Sequence, residues 1–223
     1  MKNSRKTEIL IWVLAVLPLA ACLAAGPFLP EQIPMHWGIN GQVDRYGGYG
    51  ELLILAASGL GLALLLKFVP RLDPKRNNYE KFAGSYLVIR LCLGLFYTFM
   101  VGLTLVVALV PQTQNTLGVD RLTMGAMGVL FCVMGNFMPK FKHNYFCGVR
   151  VPWTLASEDN WRRTHRFAGP IWFVCGLGML LCSFFLHGQA LFCLMMVLLI
   201  PLLAAPVLYS YLLFRRENHP PRQ

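Results

Sequence analysis

Six stretches of apolar residues alternate with polar connections along the chain. Each stretch is about 20 residues long, the length that an α-helix needs to cross the hydrocarbon core of a bilayer. They cover residues 9–29, Leu52–Val69, Tyr86–Val110, Leu122–Met138, Phe167–Leu186 and Ala190–Phe214. Because a helix satisfies its backbone hydrogen bonds internally, as a bilayer requires, the pattern predicts an all-α membrane protein with six transmembrane helices.

The positions of Lys and Arg predict the orientation of these helices. Basic residues concentrate in the N-terminal tail, the 70–81 and 139–166 connections and the C-terminal tail. Between the spans on the opposite side lie only Arg45 and Arg121. Since cytoplasmic loops hold an excess of Lys and Arg, both termini and the 139–166 connection are predicted to be cytoplasmic.

Charges within the spans bear on transport. Lys67 and Arg90 lie near the span ends that face the predicted cytoplasm, where long basic side chains reach the headgroups. No Asp or Glu falls within the six apolar stretches. This pattern argues against a proton- or cation-coupled transporter, which needs an acid within the membrane.

The composition excludes several other classes of protein. The 223 residues are 56% hydrophobic and 13% charged, with a mean hydropathy of +0.53, whereas soluble domains are about 25% charged. The net charge of +10 comes from the predicted cytoplasmic segments, so no nucleic-acid partner is expected. Six of the seven Cys lie in apolar stretches, so we expect no disulfide framework, no metal site and no cofactor.

The first apolar stretch has a second interpretation. A basic N-terminus before an apolar run is typical of a signal peptide, and Leu19–Cys22 resembles a lipoprotein cleavage site. The apolar character continues past Cys22 to Leu29. That length favours an uncleaved transmembrane span.

The fourth apolar stretch carries two stripes of residues. Small residues line one helical face at Gly125, Gly128, Cys132 and Gly135. This spacing predicts close packing against a neighbouring helix. Beside it runs a stripe of Met and Phe, at Met124, Met127, Phe131, Met134 and Met138. Such a stripe fits an adaptable peptide-binding surface, but we favour helix packing.

The connection between the first two spans is predicted to form a small, hairpin-like extracytoplasmic cap. Asn40-Gly41 lies between two short segments, which is the strongest local signal for a two-residue hairpin turn. The candidate functional residues of the cap are His36, Trp37, Asp44 and Tyr46. His36 and Asp44 can pair across the hairpin or bind a metal ion. We favour pairing, because one His and one Asp make a poor metal site.

The 139–166 connection is the richest in polar and aromatic side chains. Arg150–Pro152 should be extended, because proline disfavours helix for the residue before it. Ser157 is a favoured N-cap, with Glu158 and Asp159 in the first helical turn. Pairs four residues apart, Glu158 with Arg162 and Asp159 with Arg163, would support a helix that continues into the fifth span.

Two explanations compete for the basic residues of this connection. Arg162, Arg163 and Arg166 fit contact with lipid phosphates, whereas Arg150 with Trp153 fits lipid contact and protein binding equally well. The candidate ligand- or partner-binding residues of the inner loop are Asn136, Asn144, Arg150, Trp153, Thr154, Trp161, His165 and Arg166.

These residues resemble the signature of a known family. The SdpI/YfhL family of bacterial multi-pass membrane proteins has a similar motif, carried here by Gly135-Asn136, Asn144, Gly148–Arg150, Pro152–Leu155, Trp161 and Thr164–Arg166. An uncharacterised module that often precedes the SdpI part is similar to Pro34, His36-Trp37, Gly41, Asp44 and Tyr46. The resemblance implies a two-span module, residues 1–81 with outer loop 30–51, and a four-span module, residues 82–223 with cytoplasmic loop 139–166.

The resemblance also implies a function in the bacterial cell membrane. We expect an immunity or sensor protein that gives resistance to a secreted antimicrobial peptide. In the family's founding member, immunity is coupled to capture of a repressor at the membrane. The expected partners are therefore membrane lipids, a secreted toxic peptide and a cytoplasmic repressor. The sequence leaves the oligomeric state open.

Two other functions compete with immunity. A transporter or lipid-handling protein is favoured if a polar cavity connects to Arg90, Asn136 and Arg150. A membrane-embedded enzyme would use His165 with Ser157 or Asp159. Because those two residues are explained as a cap and a first-turn acid, and no nucleophile motif surrounds them, we expect no enzymatic activity.

Overall fold

The computed structural model describes residues 2–113 and 116–218. Its helices are α1 (Lys2–Ala25), α2 (Tyr49–Leu72), α3 (Asn77–Glu80), α4 (Ala83–Leu109), α5 (Val119–Phe137), α6 (Pro152–Ala156), α7 (Glu158–Cys182) and α8 (Gly188–Asn218). Six of them, all but α3 and α6, are long and apolar enough to cross a membrane. The predicted six-helix membrane architecture is confirmed. The end of the predicted cytoplasmic C-terminal tail, residues 219–223, lies outside the described residues.

The six long helices pack as two groups of three. Helices α1, α2 and α4 contact one another, as do α5, α7 and α8, and contacts between α4 and α5 join the two groups. Ser157 caps α7 as predicted, with its Oγ accepting a hydrogen bond from the Asn160 backbone N–H at 3.2 Å. The helix continues unbroken from the inner loop into the fifth span, which also agrees with the prediction.

Glycines bring α5 and α7 into backbone contact. A Cβ atom built on Gly135 would lie 2.5 Å from the backbone nitrogen of Phe173, and one on Gly128 would lie 2.6 Å from that of Leu180. Real Cβ contacts are essentially never shorter than 3.0 Å, so only glycine allows this approach. The predicted close packing of the small-residue stripe is confirmed.

The connection between α1 and α2 forms an antiparallel hairpin of strands β1 (Ile33–Trp37) and β2 (Val43–Gly47). The predicted two-residue turn at Asn40-Gly41 is wrong. Residues 38–42 connect the strands, with the Gly41 N–H bonded to the Gly38 carbonyl at 2.9 Å. Asn40 keeps a negative φ while Gly41 has φ +77°, so only one of the two residues takes the left-handed conformation that a primed two-residue turn needs at both.

Two expectations about charges within the spans are corrected. Arg90 does not extend to the headgroups: its side chain is 6% exposed and forms an ion pair with Glu8, with Nη2 3.2 Å from Oε2. Glu8 falls within the span Arg5–Phe28, because α1 begins before the first apolar stretch. Lys67 is exposed, and its Nζ lies 4.8 Å from the centroid of the Trp12 ring.

Candidate functional site

Asn144 shapes the inner loop from the inside. Its side chain is fully buried, and its Nδ2 donates to the carbonyls of Lys142 and Cys147 at 2.9 and 3.1 Å. Its Oδ1 accepts from the backbone N–H groups of Phe146 and Cys147 at 2.9 and 2.7 Å, and it lies 3.3 Å from Tyr79 Oη, whose single proton it shares with Asp73. With every hydrogen-bonding position of the amide used by the protein, Asn144 fixes the loop and is not available to a partner.

A buried carboxylate connects this loop to the α2–α4 connection. Asp73 is 2% exposed. Its Oδ2 accepts from Tyr79 Oη at 3.0 Å and from the Tyr145 backbone N–H at 2.8 Å, and its Oδ1 accepts from the Lys75 N–H at 2.7 Å. Sequence reasoning missed Asp73. The available signal was an acid directly before proline in a connection with more basic than acidic residues.

His165 is held as a neutral ring. It is fully buried and stacks on Trp161, with ring centroids 4.1 Å apart. Its Nε2 is 3.0 Å from the Val149 backbone N–H, which can only donate, so Nε2 accepts and carries no proton. The proton therefore sits on Nδ1, which donates to the Trp161 carbonyl at 2.8 Å. Both ring nitrogens of His165 are occupied by these hydrogen bonds, so neither is free to take part in acid–base catalysis.

Gly148 makes room for this histidine. Its φ is +112°, and a Cβ atom there would lie 2.2 Å from His165 Nε2. A side chain at residue 148 would therefore displace the ring from Val149. The position of the His165 ring therefore explains why the motif has glycine at residue 148, next to the Val149 N–H that bonds to the ring.

Trp153 of the motif and the neighbouring Asn160 attach the inner loop to α8, while Thr154 bonds within the loop. Trp153 Nε1 donates to Ser210 Oγ at 2.6 Å, and Asn160 Nδ2 donates to the Ser210 carbonyl at 2.9 Å. Thr154 is fully buried, and its Oγ1 accepts from the Val151 N–H at 3.1 Å. Val151 is extended as predicted. Pro152, which was also predicted to be extended, is instead the first residue of the short helix α6, which contains Trp153.

The remaining inner-loop candidates lie on the surface. Asn136, Arg150 and Arg166 are exposed. Arg150 makes one hydrogen bond, from Nη1 to the Tyr145 carbonyl at 3.2 Å, and within the described residues it makes none with Asn136. The structure therefore separates the inner-loop candidates into a buried framework and a polar surface that a partner can reach.

One of the two ion pairs predicted at the start of α7 is confirmed. Asp159 Oδ2 lies 3.6 Å from Arg163 Nη1, and Asp159 also pairs with Arg162, three residues away. Glu158 does not pair with Arg162 in the described chain; its Oε1 is 3.8 Å from His143 Nδ1. Burial, together with the positive charge of Lys75, lowers the pKa of His143 below its ordinary value.

The outer hairpin presents a polar surface. His36 Nδ1 is 2.6 Å from Asp44 Oδ1, so the two residues pair across the strands, as favoured from the sequence. Tyr46 is 46% exposed, while Trp37 packs against the apolar cluster of Leu103, Val107 and Val119. In the described part of the chain, no group of three or more His, Cys, Asp or Glu is arranged to hold a metal ion.

A cavity of about 390 Å³ lies between this hairpin and the ends of α4, α5 and α8. Its walls are mainly apolar and include five methionines: Met35, Met100, Met124, Met127 and Met195. Sequence reasoning did not predict it. The Met and Phe stripe of α5 was its one visible signal, since Met124 and Met127 line the cavity while Phe131 packs among helices.

Comparison with known proteins agrees with the motif. Residues 140–210 match the SdpI/YfhL protein family. Residues 13–60 match a domain of unknown function, DUF1648, so the two resemblances expected from the sequence are both confirmed. The matched SdpI/YfhL segment contains most of the buried framework, including Asn144, Thr154 and His165.

The relationship extends along nearly the whole chain. Over 213 residues the chain is 25% identical to Immunity protein SdpI of Bacillus subtilis (strain 168), covering 96% of this chain and 98% of that protein. No solved structure matches the chain. With six helices long and apolar enough to cross a membrane and its similarity to the SdpI/YfhL family, the chain is a multi-pass protein of the cell membrane.

Proposed function

We propose that this protein gives its cell immunity to a secreted antimicrobial peptide that acts on the membrane. The observation that carries the proposal is the similarity to Immunity protein SdpI along 96% of the chain, spans and connections included. An enzymatic role has less support. His165 is a buried, doubly bonded ring, and Ser157 is occupied as the N-cap of α7.

The direct test is deletion of the gene followed by re-expression at matched membrane levels. Survival is measured against a panel of membrane-active peptides. We expect the deletion strain to become sensitive to at least one peptide, and re-expression to restore survival. Unchanged sensitivity to every peptide in the panel would reject immunity.

We further propose that the inner loop faces the cytoplasm and the hairpin faces outside. The support is the concentration of Lys and Arg at the inner-loop end of the bundle. Cysteines introduced at Asn40 and Asp159, both on exposed segments, should differ in labelling by an impermeant reagent. Only the cysteine at residue 40 should react in intact cells, and labelling of both would exclude this topology.

If the protein also captures a cytoplasmic regulator, the surface that supports such capture is the exposed polar part of the inner loop. Arg150, Arg166 and Asn136 are exposed there and engage little of the protein itself. Replacing both arginines with glutamate should then release the regulator while peptide immunity remains. Loss of both functions together would show that the surface does not act separately.

A lipid-handling role is the second candidate, because an apolar cavity of about 390 Å³ can also accept an acyl chain. A polar cavity that connects to Arg90, Asn136 and Arg150 would have favoured this role, but this cavity does not connect to them. Those residues do not line the cavity, and Arg90 pairs with Glu8 elsewhere in the bundle.

A further inference from the structure

The cavity beneath the hairpin has the dimensions of a ligand site. Its volume of about 390 Å³ falls within the range of about 300–1,000 Å³ that small-molecule and cofactor pockets occupy. Most of its lining comes from β1, the hairpin turn and the helices α4, α5 and α8, and Leu55 of α2 also contributes.

The hairpin turn forms a roof that rests on the helix ends. A Cβ atom on Gly41 would lie 3.3 Å from the carboxylate of Asp120, and one on Gly188 would lie 3.3 Å from the Asn40 carbonyl oxygen. Asp120 also joins two helices, because its Oδ2 accepts from the Gly188 backbone N–H at 2.6 Å. The hairpin turn therefore lies against Asp120 and Gly188, and both of these residues line the cavity.

The walls favour a flexible, apolar ligand without negative charge. Methionines from β1, α4, α5 and α8 line the space, and their unbranched side chains adapt to different apolar shapes. Neither Lys nor Arg lines it, and Asp120 contributes a carboxylate. An anionic phospholipid headgroup would be repelled by this carboxylate, whereas an uncharged or cationic ligand would not.

One buried polar group in the wall lacks a partner. The indole Nε1 of Trp37 is buried and has no hydrogen bond among the described residues, although a buried indole N–H usually finds an acceptor. A peptide backbone supplies a carbonyl for this donor and N–H groups for Asp120. The hydrocarbon tail of a lipid supplies neither, and its ester group supplies a carbonyl but no N–H.

We propose that this cavity binds an apolar segment of an uncharged or cationic peptide. The Trp37 indole N–H donates to a backbone carbonyl of that peptide, and Asp120 accepts from one of its N–H or amino groups. The methionine walls take its apolar side chains. The inference rests on the proposed immunity function in one respect, the source of the peptide that reaches the cavity in the cell. Binding of a peptide to the cavity does not require that the protein protects the cell.

The test is binding of a dye-labelled synthetic peptide of Leu and Ala, with two Lys at its amino terminus, to the full-length protein in lipid nanodiscs. Fluorescence anisotropy is measured with empty nanodiscs subtracted. Met195→Trp reduces the volume of the cavity, and Trp37→Phe removes the indole N–H together with part of the ring. The matched control is Met196→Trp, because Met196 is 39% exposed and does not line the cavity.

We expect Met195→Trp to weaken binding by about tenfold or more and Trp37→Phe by about threefold to tenfold, while Met196→Trp leaves it unchanged. Equal binding by all four proteins, or none above empty nanodiscs, would overturn the proposal. So would phospholipid that copurifies with the wild type and Met196→Trp, but not with Met195→Trp, because the cavity would then belong to lipid.

Survival assays separate this inference from the proposed function. If Met195→Trp protects cells as well as the wild type does, the cavity is not the immunity site, and immunity itself still stands. If the wild type binds the peptide through the cavity but protects against nothing, immunity fails and the binding site stands.

Discussion

Replacing Asn144 with leucine tests whether the buried framework holds the inner loop. Leucine has a similar size but cannot make any of the five hydrogen bonds of the asparagine amide. The backbone N–H groups of Phe146 and Cys147 lose their acceptor. Each buried donor without a partner costs about 1–3 kcal/mol. Because Phe146 is 38% exposed and water can reach its amide, we expect a total loss of about 2–3 kcal/mol.

Hydrogen–deuterium exchange of the protein in nanodiscs measures this loss at the loop itself. A cost of 2–3 kcal/mol in local opening corresponds to exchange about 30- to 150-fold faster across residues 142–150. The matched control is Asn136→Leu, because Asn136 is exposed and has no hydrogen bond within the described chain. It should change stability by less than about 0.5 kcal/mol. Equal exchange in the two variants would refute the argument that Asn144 organises the loop.

Three further outcomes follow from contacts elsewhere in the fold. Gly135→Leu would drive a side chain into the α7 backbone, so folded protein should be lost on size-exclusion chromatography, whereas Gly84→Leu, at an open position, should fold. Glu8→Leu leaves the Arg90 charge buried without its partner, and thermal unfolding should show a loss of stability of about 3 kcal/mol. The double variant with Arg90→Leu should recover most of this stability, and a double variant as unstable as the single one would contradict the pairing. The pKa of His143 is lowered in the folded protein, so as the pH falls the unfolded chain takes up a proton on this side chain before the folded protein does. The free energy of unfolding should therefore decrease as the pH drops below about 6.5, and His143→Gln should make it depend less on pH.

The spans could be predicted from the sequence because a bilayer leaves few options. An apolar run of the right length must form a helix to satisfy its backbone, and Ser157 could be recognised as a cap from local chemistry alone. The ends of the helices were harder. Glu8 was placed outside the first span because the apolar pattern begins at Ile9, yet Arg90 on another helix provides a partner that lets the acid lie within it.

The roles of the site residues depended on contacts that the sequence does not contain. Asn144 and His165 belong to the family-like motif, but only the coordinates show that their polar atoms are occupied by Tyr79, Val149 and the loop backbone. The cavity was missed for the same reason. It forms where several separate elements meet without filling the space between them, and no local pattern encodes such a gap.

The most direct test of immunity is the membrane potential of living cells during a peptide challenge. Cells that lack the gene and cells that express it at a known level receive a peptide to which the deletion strain is sensitive, and a potential-sensitive dye reports depolarisation. We expect the protein to delay or prevent depolarisation, with more protection at higher expression. Depolarisation at the same rate and extent in both strains, at equal peptide dose and with confirmed membrane expression, would contradict the account.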